Sequence, residues 1–150
     1  MENGGANGKQ WPTYYFEDLA VGMEASHAKR ITNEDIQCFA DISGDDNPVH
    51  MSEEYASGTI FKERIAHGIL TASLLSTVLG TKLPGPGAIY VSQSLNFRAP
   101  VKIDDEVTAV ARITDLLPEK GRVIFTCNCH VNGKTVLDGE AVILVPSRPE

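Results

Sequence analysis

Residues 68–79 (GILTASLLSTVL) carry apolar side chains on nearly every side of a helix. A helix of that kind belongs in a protein interior. It falls well short of the roughly 20 residues that span a bilayer, so the remaining chain has to wrap it. Gly80 reads as its stop signal, and Pro84-Gly85-Pro86-Gly87 as a firm break. Beyond that break the chain reads as strands. Residues 88–97 contain Tyr90, Val91, Leu95 and Phe97; residues 106–116 place Val107, Ala109, Ala111 and Ile113 on one face; residues 122–131 do the same with Val123, Phe125, Cys127, Cys129 and Val131. Asn132-Gly133 is a two-residue hairpin signal, with 134–145 as the partner strand and 118–121 as another turn. The expected fold class is α+β, an antiparallel meander curled around one buried helix.

The first half is less regular. Residues 14–23 read as an extended entry segment and 25–31 as a strand. Thr32 is a good N-cap, and Glu34 and Asp35 suit the first turn of a helix. Ile36, Phe39, Ala40 and Ile42 supply its apolar stripe, and Ser43-Gly44 ends it. A short helical turn is expected at 53–56 and an irregular connection at 57–66. Without repeats or a composition break, residues 14–150 are expected to form one domain after a disordered lead-in, 1–13. Residues 1–8 are polar and glycine-rich and lack the basic and apolar regions of a signal peptide, so a cytoplasmic location is expected.

The net charge of −7 argues against a general binder of nucleic acid or anionic membrane, because either needs a positive surface. It leaves room for a local basic patch facing a phosphorylated ligand. Three cysteines, Cys38, Cys127 and Cys129, are an odd and sparse set that fits a reducing compartment. Cys127, Cys129 and His130 could be read as a metal cluster, but no second paired motif completes four ligands, and strand alternation sends His130 to the opposite face. Both cysteines are read as small buried side chains, and no metal is expected.

The candidate chemistry lies at Asp45-Asp46-Asn47-Pro48-Val49-His50. A carboxylate and an imidazole stand five residues apart, and Asn-Pro turns the backbone between them. A kinked loop can aim both side chains at one water and shuttle protons near pH 7. A capping Asp beside a surface His fits these six residues as well.

Three segments in order narrow the reading: Phe39-Ala40-Asp41-Ile42-Ser43-Gly44 running into the Asp45–His50 hexad, Arg64-Ile65-Ala66-His67-Gly68-Ile69-Leu70, and Tyr90-Val91-Ser92-Gln93-Ser94-Leu95-Asn96-Phe97-Arg98-Ala99-Pro100-Val101. Together they resemble the MaoC-like family, and within it the single-domain (R)-specific enoyl-CoA hydratases. The resemblance covers roughly residues 14–146, with Tyr15-Phe16-Glu17-Asp18-Leu19 and Val21-Gly22 as the entry segment. It implies a hot-dog fold, in which a curved sheet wraps a long central helix, and a homodimer joined edge to edge.

The resemblance also implies roles. Asp45 and His50 become the catalytic pair, holding one water against the double bond of a trans-2-enoyl thioester. Water adds at the β-carbon and a proton reaches the α-carbon, giving an (R)-3-hydroxyacyl thioester. Asp46 is out of register and is expected to be a turn-former. Gly68, Ser76 and Asn47 are the candidate substrate-binding residues. Gly68 would offer its N–H to the thioester oxygen at a helix N-terminus, Ser76 would line the site eight residues further on, and Asn47 would shape the loop. His67 is expected to be a neutral structural histidine, and His27 and His130 surface residues. No cofactor is expected, since coenzyme A enters only as part of the substrate. Arg64, Lys82, Arg98 and Lys102 are possible phosphate contacts, read as ordinary solvated cations. The competing expectations are a dehydratase acting on acyl-carrier-protein, branched or dicarboxylic thioesters, and a non-catalytic thioester-binding module.

Overall fold

Alternating burial along the last three long strands sets the architecture. The computed structural model describes the backbone of residues 2–4 together with residues 8 and 10–150. In chain order the elements are β1 (Glu2–Gly4), β2 (Gln10–Pro12), β3 (Glu24–Arg30), α1 (Asn33–Ser43), α2 (Pro48–Met51), α3 (Glu53–Ser57), α4 (Gly68–Thr81), β4 (Ile89–Gln93), β5 (Asn96–Phe97), β6 (Glu106–Leu117), β7 (Arg122–Val131) and β8 (Lys134–Leu144). The main sheet is antiparallel with strand order β3-β6-β7-β8-β4, and β5 pairs with β8. On its inner face Ile113 stands opposite Phe125, and Phe125 opposite Ala141, all fully buried. Beside them Ala109, Ala111, Cys127 and Cys129 form a patch of small buried side chains, and α4 packs against β3, β6 and β7. Small residues there let the helix approach the sheet closely, and Leu74, Leu75, Val78 and Leu79 close the core from the helix side. This is a hot-dog fold.

Several expectations need correction. The helix α4 runs through Gly80 to Thr81, because a single glycine weakens a helix by about 1 kcal/mol without breaking it. Nor is α4 enclosed on all sides of the single chain: Ile69 is 55% exposed, and Ser73 and Ser76 are exposed too. In α1, Ile36 and Ala40 form the buried face, while Ile42 is 85% exposed. It lies about 200° around the helix from Ala40. The strand expected over 88–97 is two strands, β4 and β5. Between them the Ser94 carbonyl comes so near Gly139 that a Cβ there would lie 1.9 Å from it. Of the expected lead-in, residues 1, 5–7 and 9 lie outside the described residues, while β1 and β2 pair antiparallel. The Asn132-Gly133 hairpin is as read, with φ of 50° and 80°, as a primed turn requires.

Candidate active site

The Asp–His segment begins where α1 ends. Thr32 caps α1, its hydroxyl accepting the Asp35 N–H at 3.2 Å while Asp35 accepts the Thr32 N–H at 2.9 Å. At the other end Gly44 takes the left-handed conformation (φ 81°), which glycine adopts without a Cβ clash. Ser43 Oγ then accepts the Asp45 N–H at 3.0 Å, and Asn47 Oδ1 accepts the Val49 N–H at 3.1 Å. Pro48 opens the one-turn helix α2, where its missing N–H costs nothing. His50 therefore stands on a short helix rather than in open loop.

The geometry around His50 sets its chemistry. Its Nδ1 lies 2.8 Å from the Ile65 carbonyl. A carbonyl only accepts, so Nδ1 carries the proton, and in the neutral ring Nε2 keeps a lone pair. Burial pushes the His50 pKa below the ordinary 6.5; the Ile65 carbonyl opposes this, His67 adds to it, and Asp45 opposes it. The imidazole is thus available as a neutral base at physiological pH. His67, 2% exposed, stacks on it with ring centroids 4.0 Å apart. His67 Nε2 donates to the Asp45 main-chain carbonyl at 2.8 Å. One oxygen of Asp45 and one ring nitrogen from each histidine lie within 4.8 Å of one another. Groups no farther apart than that can share one water, bonded to each at about 2.8 Å. The same three groups are the ones that could hold a metal ion, although Nδ1 of His50 and Nε2 of His67 already face carbonyls.

Beside this cluster opens a largely apolar pocket of about 520 Å³ lined by His50, Gly68, Thr71, Phe97 and Val136 among others. Gly68 is the first residue of α4, where backbone N–H groups lack helical partners and the dipole favours negative charge. A Cβ on Gly68 would lie 2.5 Å from Phe97 Cε1, so the ring covers the helix start. Phe97 and Thr71 were not read from the sequence as site residues. Thr71 sits three residues after Gly68, the helical spacing that would have found it. Its hydroxyl is buried without a partner among the described residues, as is Nδ1 of His67.

Other assignments change. Ser76 is exposed on α4 and is not part of the pocket wall. Eight residues place it about 12 Å along the axis from Gly68 and about 80° around it. Asn47 is exposed and serves the segment as a cap, outside the pocket wall. Among the cations, Arg64 donates to the His50 carbonyl at 2.6 Å and to Asn33 at 2.8 Å, and Arg98 pairs with Asp138 at 3.1 Å. Lys82 meets the Ser26 carbonyl, and Lys102 lies 3.4 Å from Glu63. None is simply solvated. His27 and His130 are half-buried rather than surface groups. Burial pushes the Cys127 thiol to about 11 and Cys129 to about 12, so both stay protonated and serve as packing.

A patch of small buried side chains on the sheet, a helix packed against it, and an acid–imidazole pair beside that helix's N-terminus are features of a hot-dog protein of the hydratase and dehydratase kind. The chain belongs to the MaoC-like domain family, whose model matches residues 19–128. It is 56% identical over 135 residues to the (R)-specific enoyl-CoA hydratase of Rhodospirillum rubrum, covering 90% of this chain and 94% of that protein. It is 52% identical over 136 residues to the 3-hydroxybutyryl-CoA dehydratase of Methylorubrum extorquens, covering 91% and 87%. Among solved structures it resembles the (R)-hydratase from A. caviae involved in PHA biosynthesis, with a TM-score of 0.84 and 40% identity over 87% of this chain and 99% of that one.

Proposed function

We propose that this protein is a hydro-lyase that adds water to trans-2-enoyl-CoA, reversibly, to give (R)-3-hydroxyacyl-CoA, in β-oxidation or in supplying polyhydroxyalkanoate precursors. The observation that carries the reading is the placement of Asp45 and His50 within one water's reach of each other, beside the pocket that Gly68 lines. His50 Nε2 takes a proton from the water as its oxygen bonds the β-carbon. Negative charge moves to the thioester oxygen, where the Gly68 N–H and the α4 N-terminus meet it; losing one such donor typically costs about 10²–10³ in rate. Asp45 orients the water and takes part in passing the proton that His50 took on to the α-carbon, which completes the addition and returns the pair to its starting state. Gly68 is the substrate-binding residue of this reading; Asn47 acts on the segment's shape.

The planar enoyl group has one face toward the held water and its carbonyl pinned at Gly68, which leaves one route of attack. No metal or organic cofactor takes part in this scheme. Chiral analysis of the product from crotonyl-CoA, with and without chelator, tests both points: only the (R) product is expected, at the same rate in each. An (S) product, or loss of activity with chelator, would break the scheme. Parallel rates on matched carrier-protein substrates test CoA as the carrier.

We further propose a homodimer formed through β4. That strand ends the sheet and exposes Ile89 at 58%, Tyr90 at 41% and Val91 at 41%. An apolar open edge is a template for pairing with another chain, and a two-fold dimer pairs it with itself. A monomer mass by light scattering at micromolar concentration would rule this out. Among the described residues no helix is long and apolar enough to cross a membrane. The three free thiols suit a reducing compartment such as the cytoplasm.

A further inference from the structure

Four hydrogen bonds tie residues 64–67, just ahead of α4, to the segment that carries the Asp–His pair. Arg64 Nε donates to the His50 carbonyl at 2.6 Å. The Ile65 N–H donates to the Val49 carbonyl at 3.3 Å. His50 Nδ1 donates to the Ile65 carbonyl at 2.8 Å. His67 Nε2 donates to the Asp45 carbonyl at 2.8 Å. Two side chains three residues apart therefore grip the main-chain carbonyls of the two residues assigned to the chemistry, one at each end of the hexad. Arg64 also reaches Asn33 at the start of α1, and His67 lies between Phe39 and His50, with centroids at 4.7 and 4.0 Å.

Besides the His67 bond, Asp45 is held at its N–H, which donates to Ser43 Oγ at 3.0 Å, while its carboxylate is only loosely tied. The residue is exposed, and its carboxylate accepts only a long 3.3 Å bond from the Asn47 N–H among its hydrogen bonds to the described residues. The His67 grip, moreover, is not what a purely structural residue would show. With Nε2–H committed to the Asp45 carbonyl, Nδ1 of the neutral ring is an acceptor, and it is buried with no partner among the described residues. Buried polar groups are nearly always satisfied, and an orphan calls for an explanation other than stability.

We infer that Arg64 and His67 are positioning residues, which clamp the backbone on both sides of the Asp45–His50 hexad and so set the gap between carboxylate and imidazole. The inference rests on Asp45 and His50 being the catalytic pair. It also gives Arg64 a task other than binding substrate phosphate. Misplacing reacting groups by about 1 Å costs up to about 10²-fold in rate.

The test uses the full-length protein and crotonyl-CoA. His67→Phe keeps an aromatic ring against His50 and removes the donor; His67→Gln keeps an N–H donor and removes the ring. Arg64→Met keeps the stem and removes both donors; Arg64→Lys restores a charge. The expected result is a kcat loss of about 10–100-fold in His67→Phe and Arg64→Met, with KM within about threefold. His67→Gln should recover most of the loss. In an Asp45→Asn background His67→Phe should cost nothing further, because residues acting as a unit are not additive. A kcat for His67→Phe within threefold of wild type, a loss in KM alone, or full additivity with Asp45→Asn would overturn the inference. If His67→Phe does not fold, Arg64→Met decides by the same criteria. Full activity in Asp45→Asn and His50→Gln, measured alongside, would instead overturn the catalytic pair on which the inference stands.

Discussion

Residues 44–67 and the inner face of β6–β8 are held by different forces. On the sheet, every second residue of β6 from Val107 to Ile113 and of β7 from Val123 to Cys129 is fully buried. Apolar burial and close packing carry that region. Around the site the only buried residues from 44 to 67 are Ala56, Ala66 and His67. There the chain is shaped by side chains bonded to nearby main chain, such as Asn47 to Val49, Ser52 to Tyr55 and Arg64 to His50. Ile60, 87% exposed, and Tyr55, 55% exposed, lie in the same stretch. Apolar burial and the proposed chemistry therefore fall on separate stretches of the chain. Changes on one side should then move one property and spare the other.

The largest effect is expected in the sheet. Phe125→Ala removes a fully buried ring packed between Ile113 and Ala141, and should destabilise the fold by about 3–5 kcal/mol. Denaturant unfolding should show it, while the specific activity of the remaining folded fraction stays near wild type. A comparable fall in activity per folded molecule would break the separation.

Next come the groups assigned to the chemistry. Asp45→Asn and His50→Gln should each lower kcat by at least about 10²-fold, roughly 2.7 kcal/mol at the transition state, with the melting temperature nearly unchanged. Asp46→Asn should do little in either assay. If Asp46→Asn proves inactive and Asp45→Asn active, the register of the pair is wrong.

Gly68→Ala tests where the two regions meet. The added methyl would lie 2.5 Å from the Phe97 ring, so the ring has to move. Phe97 is 55% exposed and can swing toward solvent, and alanine is the better helix former by about 1 kcal/mol. The melting temperature should therefore barely change. Activity should fall about tenfold, because the ring and the methyl crowd the place the thioester needs. Steady-state kinetics beside a thermal melt separates the two.

The smallest effect is a pH dependence. His50 has its pKa lowered mainly by burial, so the neutral base persists below pH 6.5. The acid limb of the kcat/KM profile should have its midpoint below pH 6.5, where an unperturbed histidine is half protonated. Below 6.5 the unfolded chain binds a proton that native His50 refuses. Stability should therefore fall with pH from 6.5 down to the lowered native value and then level off. An acid limb at or above 6.5 would contradict the burial of the ring.

The N-cap at Thr32, the stop at Gly44, the alternation of β6–β8 and the Asn132-Gly133 turn were all legible in the chain. So were Asp45 and His50 as a pair on one short segment, and Gly68 at the start of the buried helix. Each depends on neighbours within a few residues, through hydrogen bonds and periodicities that the backbone imposes locally. Three-dimensional packing alone decided the rest. Ser76 shares a helix with Gly68 but stands two turns away and faces outward, and β4 breaks from β5 because Gly139 of a distant strand lets the Ser94 carbonyl in. Arg98 is committed to Asp138, and His67 reaches back 22 residues to the Asp45 carbonyl. A side chain's choice among distant carbonyls and carboxylates is made by the shape of the core that brings them together, and residue order along the chain does not encode that distance.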